Sequence, residues 1–313
     1  MRSATLDDNP PLRTRTCEPL KTMPDPSASP AVRQLDREQL QQACGAIDFW
    51  WHSIDLGQGV VTPGKKTAAW LDRELGALSL PPLAGKTVLD IGAWDGFYSF
   101  AAERFGARRV VALDHYVWSI DRSLADAYHA RYAHAPMMAP PIEQTPCWQP
   151  DKKPGKRGFD IACAALGSRV ESVYGDFMTV DPAQIGTFDV VLFLGVLYHM
   201  ENPMASLRRL AEFTKGVAII ETHAVAVPAY EHRALCEFYP HGELDGDVSN
   251  WWGPNLKALE AMCLAAGFSR VEIKQGPPRR SRIHHALRRL HLFLSGPRAR
   301  RPRHYRAIVH AWK

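Results

Sequence analysis

The residues best suited to chemistry lie in one short run, Val88-Leu89-Asp90-Ile91-Gly92-Ala93-Trp94-Asp95-Gly96. An apolar strand enters a turn pinched by two glycines, and a helix follows. Glycine lets backbone approach a ligand without a Cβ clash, so the turn predicts a binding loop. Eighteen residues after Gly96 a second apolar strand ends in Asp114. A carboxylate there can accept from both hydroxyls of a ribose, at the edge where such sheets bind ligands. Together these residues point to a nucleoside.

Which nucleoside depends on the spacing. A dinucleotide loop needs G-x-G-x-x-G so that a helix N-terminus can hold a pyrophosphate. Here Ala93-Trp94-Asp95 separate the glycines, and Asp95 is expected to place negative charge where a pyrophosphate would lie. S-adenosylmethionine (SAM) carries a sulfonium and no phosphate, and it tolerates an acidic turn. The spacing therefore favours SAM over a nicotinamide dinucleotide.

Two later segments agree. In Tyr174-Gly175-Asp176-Phe177, Asp176 is placed to accept from an adenine amino group and Phe177 to pack on its ring. The run Phe188-Asp189-Val190-Val191-Leu192-Phe193-Leu194-Gly195-Val196-Leu197-Tyr198-His199 ends with two polar side chains at the expected crevice. His199 is the candidate general base, since imidazole titrates near neutrality. It equally suits a structural cap on the next helix. Glu221 and His223 are second-choice bases, and His52 is a third.

The elements that must position these residues alternate strand and helix from residue 86 on. Strands are expected at 87–91, 109–114, 170–174, 188–194 and 217–221, with helices at 97–105, 203–214 and 255–266. A closing pair at 269–274 and 306–312 alternates apolar and polar residues, as an antiparallel hairpin does. This is a doubly wound, Rossmann-like α/β sheet with an antiparallel last strand. Residues 115–157, with six prolines, read as an insertion over one edge of the site. Helices at 34–47 and 65–78 flank the aromatic cluster Phe49-Trp50-Trp51-His52. The expected organisation is a disordered leader (1–33), an N-terminal helical and aromatic lid (34–85) and a SAM-binding core (86–275). A basic insert (276–304) and the last strand of the core (305–313) complete it.

Composition narrows the class. The chain has 313 residues, 46% hydrophobic and 23% charged, which suits a globular domain that needs no staples. Its six cysteines form no CxxC pair and no zinc spacing, so a reducing compartment is expected and no metal site. Asp7 and Asp8 in a leader without an apolar segment do not read as a signal peptide. The longest apolar stretch, 190–197 with one glycine, is too short to span a bilayer. A cytoplasmic enzyme is the expectation. From Lys274 onward there are 12 Lys and Arg and no acid, whereas residues 1–273 hold 26 basic against 33 acidic residues. Within that tail Ile283, Ala286, Leu287, Leu290 and Leu294 fall at helical spacing. An amphipathic basic helix there would suit RNA phosphates or anionic lipid. It would suit a solvated face equally well.

These motifs resemble class I SAM-dependent methyltransferases: D-I-G-x-x-D-G at 90–96, Asp114, G-D-F at 175–177 and F-D-V-V-L-F-L-G-V-L-Y-H at 188–199. More narrowly, residues 47–275 resemble the family of the bacterial tRNA wobble-uridine carboxymethyltransferase, which uses carboxy-SAM. The shared text includes Phe49-Trp50-Trp51, Asn250-Trp251-Trp252-Gly253-Pro254 and Tyr305-Arg306-Ala307-Ile308-Val309. The motif turn contributes Asp90, Gly92 and Gly96 to the candidate cofactor residues. The resemblance implies that Gly92, Asp114, Asp176, Phe177, Leu194 and Tyr198 line the pocket, with Arg306 near a cofactor carboxylate. Ser53 stands where that family's lysine for the extra carboxylate is expected, which favours plain SAM because an unpartnered buried carboxylate is costly. The expected reaction is methyl transfer to an O or N of a small molecule or a nucleic acid such as tRNA. Alternatives are carboxymethyl transfer to a tRNA uridine, or a non-catalytic RNA-binding protein on this scaffold. A nicotinamide-dependent oxidoreductase would need the pyrophosphate site that Asp95 opposes. Cys236-Glu237-Phe238-Tyr239-Pro240 and Asn250-Trp251-Trp252 are expected to face the acceptor or to form an apolar lid.

Overall fold

The computed structural model describes residues 14–15, 35–135, 137–228, 230–278 and 302–313. The expected amphipathic helix in the basic insert, and most of the leader, lie outside these residues. In chain order the described elements begin with β1 (Thr14–Arg15), α1 (Arg37–Gly45), α2 (Ala68–Leu78), β2 (Thr87–Ile91), α3 (Phe97–Arg104) and β3 (Arg109–Asp114). Then come α4 (Tyr116–Ser119), α5 (Arg122–Tyr132), α6 (Arg157–Leu166), β4 (Glu171–Tyr174), α7 (Pro182–Ile185), β5 (Phe188–Leu194) and α8 (Pro203–Phe213). The chain finishes with β6 (Thr214–Ala226), β7 (Cys236–Phe238), β8 (Trp252–Pro254), α9 (Leu256–Ala265), β9 (Arg270–Gln275) and β10 (Arg303–Trp312).

One sheet runs in the order β1-β4-β3-β2-β5-β6-β10-β9. The five strands from β4 to β6 are parallel. β10 lies antiparallel between β6 and β9, as the alternation at 306–312 predicts. The chain winds outward from β2 in both directions, so the switch point is between β2 and β5. Ligands of such sheets bind beyond the carboxyl ends of the strands at this point.

Period-two alternation divides the core between the two faces of the sheet. Leu89, Ile91, Val191 and Phe193 pack with α8 and α9, while Val88, Val190 and Leu192 pack with α1, α3 and α6. At 25 cal/mol per Å², each fully buried Leu, Val or Phe contributes roughly 1.5–3 kcal/mol. Asp90 takes the polar place on the second face, where Ser99 of α3 donates to it at 2.6 Å.

Three regions differ from expectation. Thr14 and Arg15 pair with Val173 and Ser172 at the sheet edge, so the leader contains a strand. β6 is 13 residues long, because β10 pairs with it from Val217 to Ala226 and extends it past the crevice. The stretch expected as a plain insertion contains α4 and α5, and α6 follows it without a side-chain N-cap. Among the described residues no helix is long and apolar enough to cross a membrane.

Candidate functional site at the switch point

β2 ends in a turn that only particular backbone angles close. Gly92 has φ 76°, and a Cβ there would lie 2.7 Å from Val196 Cγ2, so glycine is required. Trp94, two residues on, also takes a left-handed φ of 51°. This costs a β-carbon residue about 1–2 kcal/mol. The turn is held open by its neighbours. Trp94 N–H donates to Asp114 Oδ2 at 3.0 Å, and Trp118 Nε1 donates to the Trp94 carbonyl at 2.7 Å. Gly96, at φ 88°, caps α3 from behind the turn and is not part of the cavity wall.

Asp114 ends β3 and is 4% exposed. Its carboxylate accepts backbone N–H groups from Trp94, Val117 and Trp118, and a carboxylate's roughly four acceptor sites leave room for a further donor. Burial, outweighing these hydrogen bonds, pushes its pKa up to about 6. Asp90 is likewise pushed up to about 6 by burial, against the bond from Ser99. Asp176 is half-buried, and its Oδ1 accepts from Met178 N–H at 2.9 Å. Phe177 lines the cavity from the core side. It is 7% exposed, with its ring against Phe193 (5.3 Å) and Phe213 (5.9 Å) in the core.

Beyond β5 the wall is built from four strands and loops. Arg306 of β10 forms a two-pronged ion pair with Glu221 of β6. Its guanidinium stands 4.7 Å from the Tyr198 ring centre. Burial disfavours that charge, but Glu221 holds the guanidinium pKa well above its ordinary value. Glu221 is therefore engaged as a partner, not free as a base. His223, also a base candidate, is 5% exposed, and its Nε2 lies 3.0 Å from the Tyr239 hydroxyl. Burial, with His304 and Arg306 beside it, lowers its pKa to about 4. His199 differs: only its Nδ1 is engaged among the described residues, 3.0 Å from Ser249 Oγ and 3.2 Å from the Ser249 carbonyl. A carbonyl only accepts, so Nδ1 carries the hydrogen and Nε2 keeps its lone pair.

The lid meets the turn through Asp95. Its Oδ2 accepts the backbone N–H groups of Trp51 and His52, each at 2.9 Å, and its Oδ1 binds His52 Nδ1. Asp95 is 2% exposed. Its charge is thus taken up by the lid, which corrects the expectation that it would face a ligand's phosphates. His52 is equally occupied and is removed from the list of bases. Trp51 stacks on Trp94, ring centres 4.9 Å apart at 10°.

A second correction concerns cations at the lid. Ser53 turns away, its Oγ 3.4 Å from the Gly64 carbonyl. A bridge between His52 and Lys66 brings two lysines to the position instead. Lys65 and Lys66 Nζ stand 5.2 and 5.6 Å from the Trp51 ring. Lys66 pairs with Glu74, while Lys65 has no ion-pair partner among the described residues. The signal for this was Thr62-Pro63-Gly64, a turn that returns the chain to the aromatic segment.

These residues share one cavity of about 1750 Å³. That exceeds the usual 300–1,000 Å³ of a single-ligand pocket and leaves room for two. Asp90, Gly92, Asp114, Asp176, Phe177, Leu194, Tyr198, His199 and Arg306 line it, with Lys65, Lys66 and Trp94. Of the expected acceptor aromatics, Trp251 lines the cavity. Phe238 and Trp252 pack against each other at a tilt of 38° on the paired strands β7 and β8, ring centres 4.7 Å apart.

The strand order, the glycine turn and the crevice are those of class I SAM-dependent methyltransferases. The family profile described as "Methyltransferase domain" matches residues 65–273, and the chain belongs to that family. Among solved structures, the N-terminal domain of EvdMO1, crystallised in the presence of SAH and D-fucose, has the same fold. It is similar at TM-score 0.55 and 18% identity, covering 89% of this chain and 97% of that one. Among curated relatives, the tRNA U34 carboxymethyltransferase of Methylococcus capsulatus is 25% identical over 197 residues, 62% of this chain and 48% of the relative. That of Shewanella loihica is 28% identical over 193 residues, 60% of this chain and 46% of the relative. The chain spans about half the length of these relatives.

Proposed function

We propose that this protein is a cytoplasmic SAM-dependent methyltransferase acting on a small-molecule or nucleic-acid acceptor. The observation that carries this reading is the single cavity joining the glycine turn and Asp114 to the unengaged Nε2 of His199. In this proposal Gly92, Asp114, Asp176 and Leu194 hold the adenosine part. Asp90 and Gly96 shape the turn, and Phe177 supports the floor from the core. Tyr198 and Arg306 bound the methionine end. Residues 34–85 act as the lid and 86–275 with 305–313 as the core, with 1–33 and 276–304 as appendages.

The sulfonium methyl is already activated, so the protein chiefly aligns the nucleophile and excludes water. His199 serves as general base. Neutral imidazole is favoured there, since burial lowers its pKa even against the pull of Asp247. A base is needed by a hydroxyl acceptor and not by a neutral amine, so oxygen is the preferred atom. Bound SAM supplies the methyl group, and these residues hold it, orient the acceptor and take the proton.

Lys65 supports a second reading. An ammonium at the cavity wall near Trp51, without an ion-pair partner among the described residues, would suit a donor bearing an extra carboxylate. On that reading the chain shares carboxy-SAM chemistry, and a tRNA acceptor, with the carboxymethyltransferases named above.

Calorimetric titration with SAM, S-adenosylhomocysteine and carboxy-SAM tests both. Micromolar SAM binding with no gain for carboxy-SAM is the expected result. Tighter binding of carboxy-SAM would favour the second reading, and no binding of any of the three would overturn both.

A further inference from the structure

Resting on the reading of His199 as a base, we propose that Asp247 and Ser249 are positioning residues that fix its tautomer and tune its titration. The groups come from two separate stretches of chain, His199 just past β5 and the loop that carries both Asp247 and Ser249. Ser249 Oγ donates to Asp247 Oδ1 at 2.6 Å, and Ser249 N–H donates to the same oxygen at 2.9 Å. With its hydrogen directed at the carboxylate, Oγ presents lone pairs to His199 Nδ1–H at 3.0 Å, and the Tyr116 hydroxyl bonds the same Ser249 side chain and faces Asp247. The result is a relay from carboxylate through hydroxyl to an imidazole that lines the cavity and whose Nε2 has no hydrogen-bond partner among the described residues. This is the base-and-orienter arrangement seen where imidazole removes a proton from a hydroxyl.

The loop carrying the relay is anchored on both sides. Trp251 N–H donates to the Tyr198 carbonyl at 2.8 Å, next to His199 itself. Across the cavity His129 of α5 brings Nδ1 within 3.3 Å of the same Asp247 oxygen. That contact has the distance of an ion pair but not the alignment of a hydrogen bond, so His129 Nδ1 has no hydrogen-bond partner among the described residues. His134 N–H, just past α5, donates to the His241 carbonyl at 2.8 Å. Asp247 therefore stands where the 115–157 insertion and the acceptor loop meet, facing one imidazole from each side.

Burial acts most strongly on His199 and disfavours its charged form; Asp247 and the Ser249 carbonyl favour that form, and Arg306 of β10 and His129 of α5 oppose it. Tyr198 covers one side of the ring at 4.2 Å. Removing the anion shifts that balance in one direction. His199 becomes harder to protonate, and its preference for the Nδ1–H tautomer weakens.

The test is histidine-ring ¹⁵N NMR across pH on the full chain: wild type, Asp247→Asn and Ser249→Ala. His199→Gln supplies the assignment. Asp245→Asn, on the same loop but without a hydrogen bond to the relay, is the control. Wild-type His199 is expected as the Nδ1–H tautomer at neutral pH. In Asp247→Asn its midpoint should fall by about half a pH unit or more, since a nearby opposite charge is lost. Ser249→Ala should move it the same way by less, and Asp245→Asn should leave it in place. An unmoved midpoint in Asp247→Asn, even with lowered thermal stability, would make Asp247 merely structural and overturn the proposal. Should Asp247→Asn fail to fold, Ser249→Ala decides alone: a downward move supports the relay and an unmoved midpoint overturns it. SAM calorimetry on the same samples separates the two readings. Wild type that fails to bind SAM overturns the methyltransferase reading, whereas retained SAM binding with an unmoved His199 overturns the relay alone.

Discussion

The two halves of the cavity are built in opposite ways. Over β2, β3 and β4, each polar group follows directly on the strand that places it: Gly92 on β2, Asp114 at the end of β3 and Asp176 two residues beyond β4. Over β5 and β6 the wall is assembled from distant segments. Arg306 comes from β10, Glu221 from β6, Ser249 from a loop, and the lid arrives from residues 49–66. Strand ends place these groups through backbone pairing, which side-chain bonds such as that of Asp114 with Trp94 N–H then reinforce. The other half depends on side-chain bonds, and each of those can be cut singly.

Asp95 is the bond whose loss should cost most. Asp95→Ala strands two backbone N–H groups and the His52 ring in the interior. At 1–3 kcal/mol for each buried unpaired donor, the expected loss is about 3 kcal/mol or more. Thermal or urea unfolding measures it. A loss under about 1 kcal/mol would mean that the lid is held by its aromatic packing and not by this carboxylate.

Asp90 tests the other half through pH. Its pKa in the fold, about 6, lies above the ordinary carboxylate value. The folded state therefore binds the proton more tightly than the unfolded chain. This contribution to stability is complete below the unfolded pKa, near 4, and is lost as pH rises through 6. Asp90→Asn has no such proton to lose, and its amide oxygen can still accept from Ser99. Its stability relative to wild type should rise by about 2–3 kcal/mol between pH 4 and pH 7. A pH-independent difference would contradict the burial argument. Asp114 follows the same sign, so SAM affinity should weaken as pH falls through about 6 and its carboxylate is protonated.

A smaller effect sharpens the view of the lid. Lys65→Ala should reduce carboxy-SAM affinity several-fold while changing SAM affinity by less than twofold, since only the former adds a carboxylate. Ser53→Lys should change neither, because Ser53 faces Gly64. Calorimetry that found the reverse order would restore Ser53 as the discriminating position.

The same division explains what could be read in advance. Buried parallel strands are unbroken apolar runs, so β5 falls at 188–194 as expected, and β2 and β3 match equally well. The turn and Asp114 were legible because their chemistry is local to those strands. α6 was not, since RGFDIACAAL opens without a side-chain cap and follows a proline-rich stretch. The lysines beside Trp51, the clasp of Asp95 and the link from His199 to Ser249 join residues 14 to 50 positions apart. No spacing rule marks such pairs. Phe177 shows what a motif leaves open: its ring packs on Phe193 in the core while it also borders the cavity.

The most direct test of the account compares SAM affinity in Asp114→Ala and His199→Gln by calorimetry. If the β2–β4 half holds the adenosine part of the cofactor and the acceptor loop beside His199 serves the acceptor, Asp114→Ala should weaken SAM about tenfold or more, from the loss of charge-assisted bonds. His199→Gln should leave SAM affinity within about twofold, as its ring is held by the acceptor loop. Equal losses in both variants, or no loss in Asp114→Ala, would contradict the division of the site.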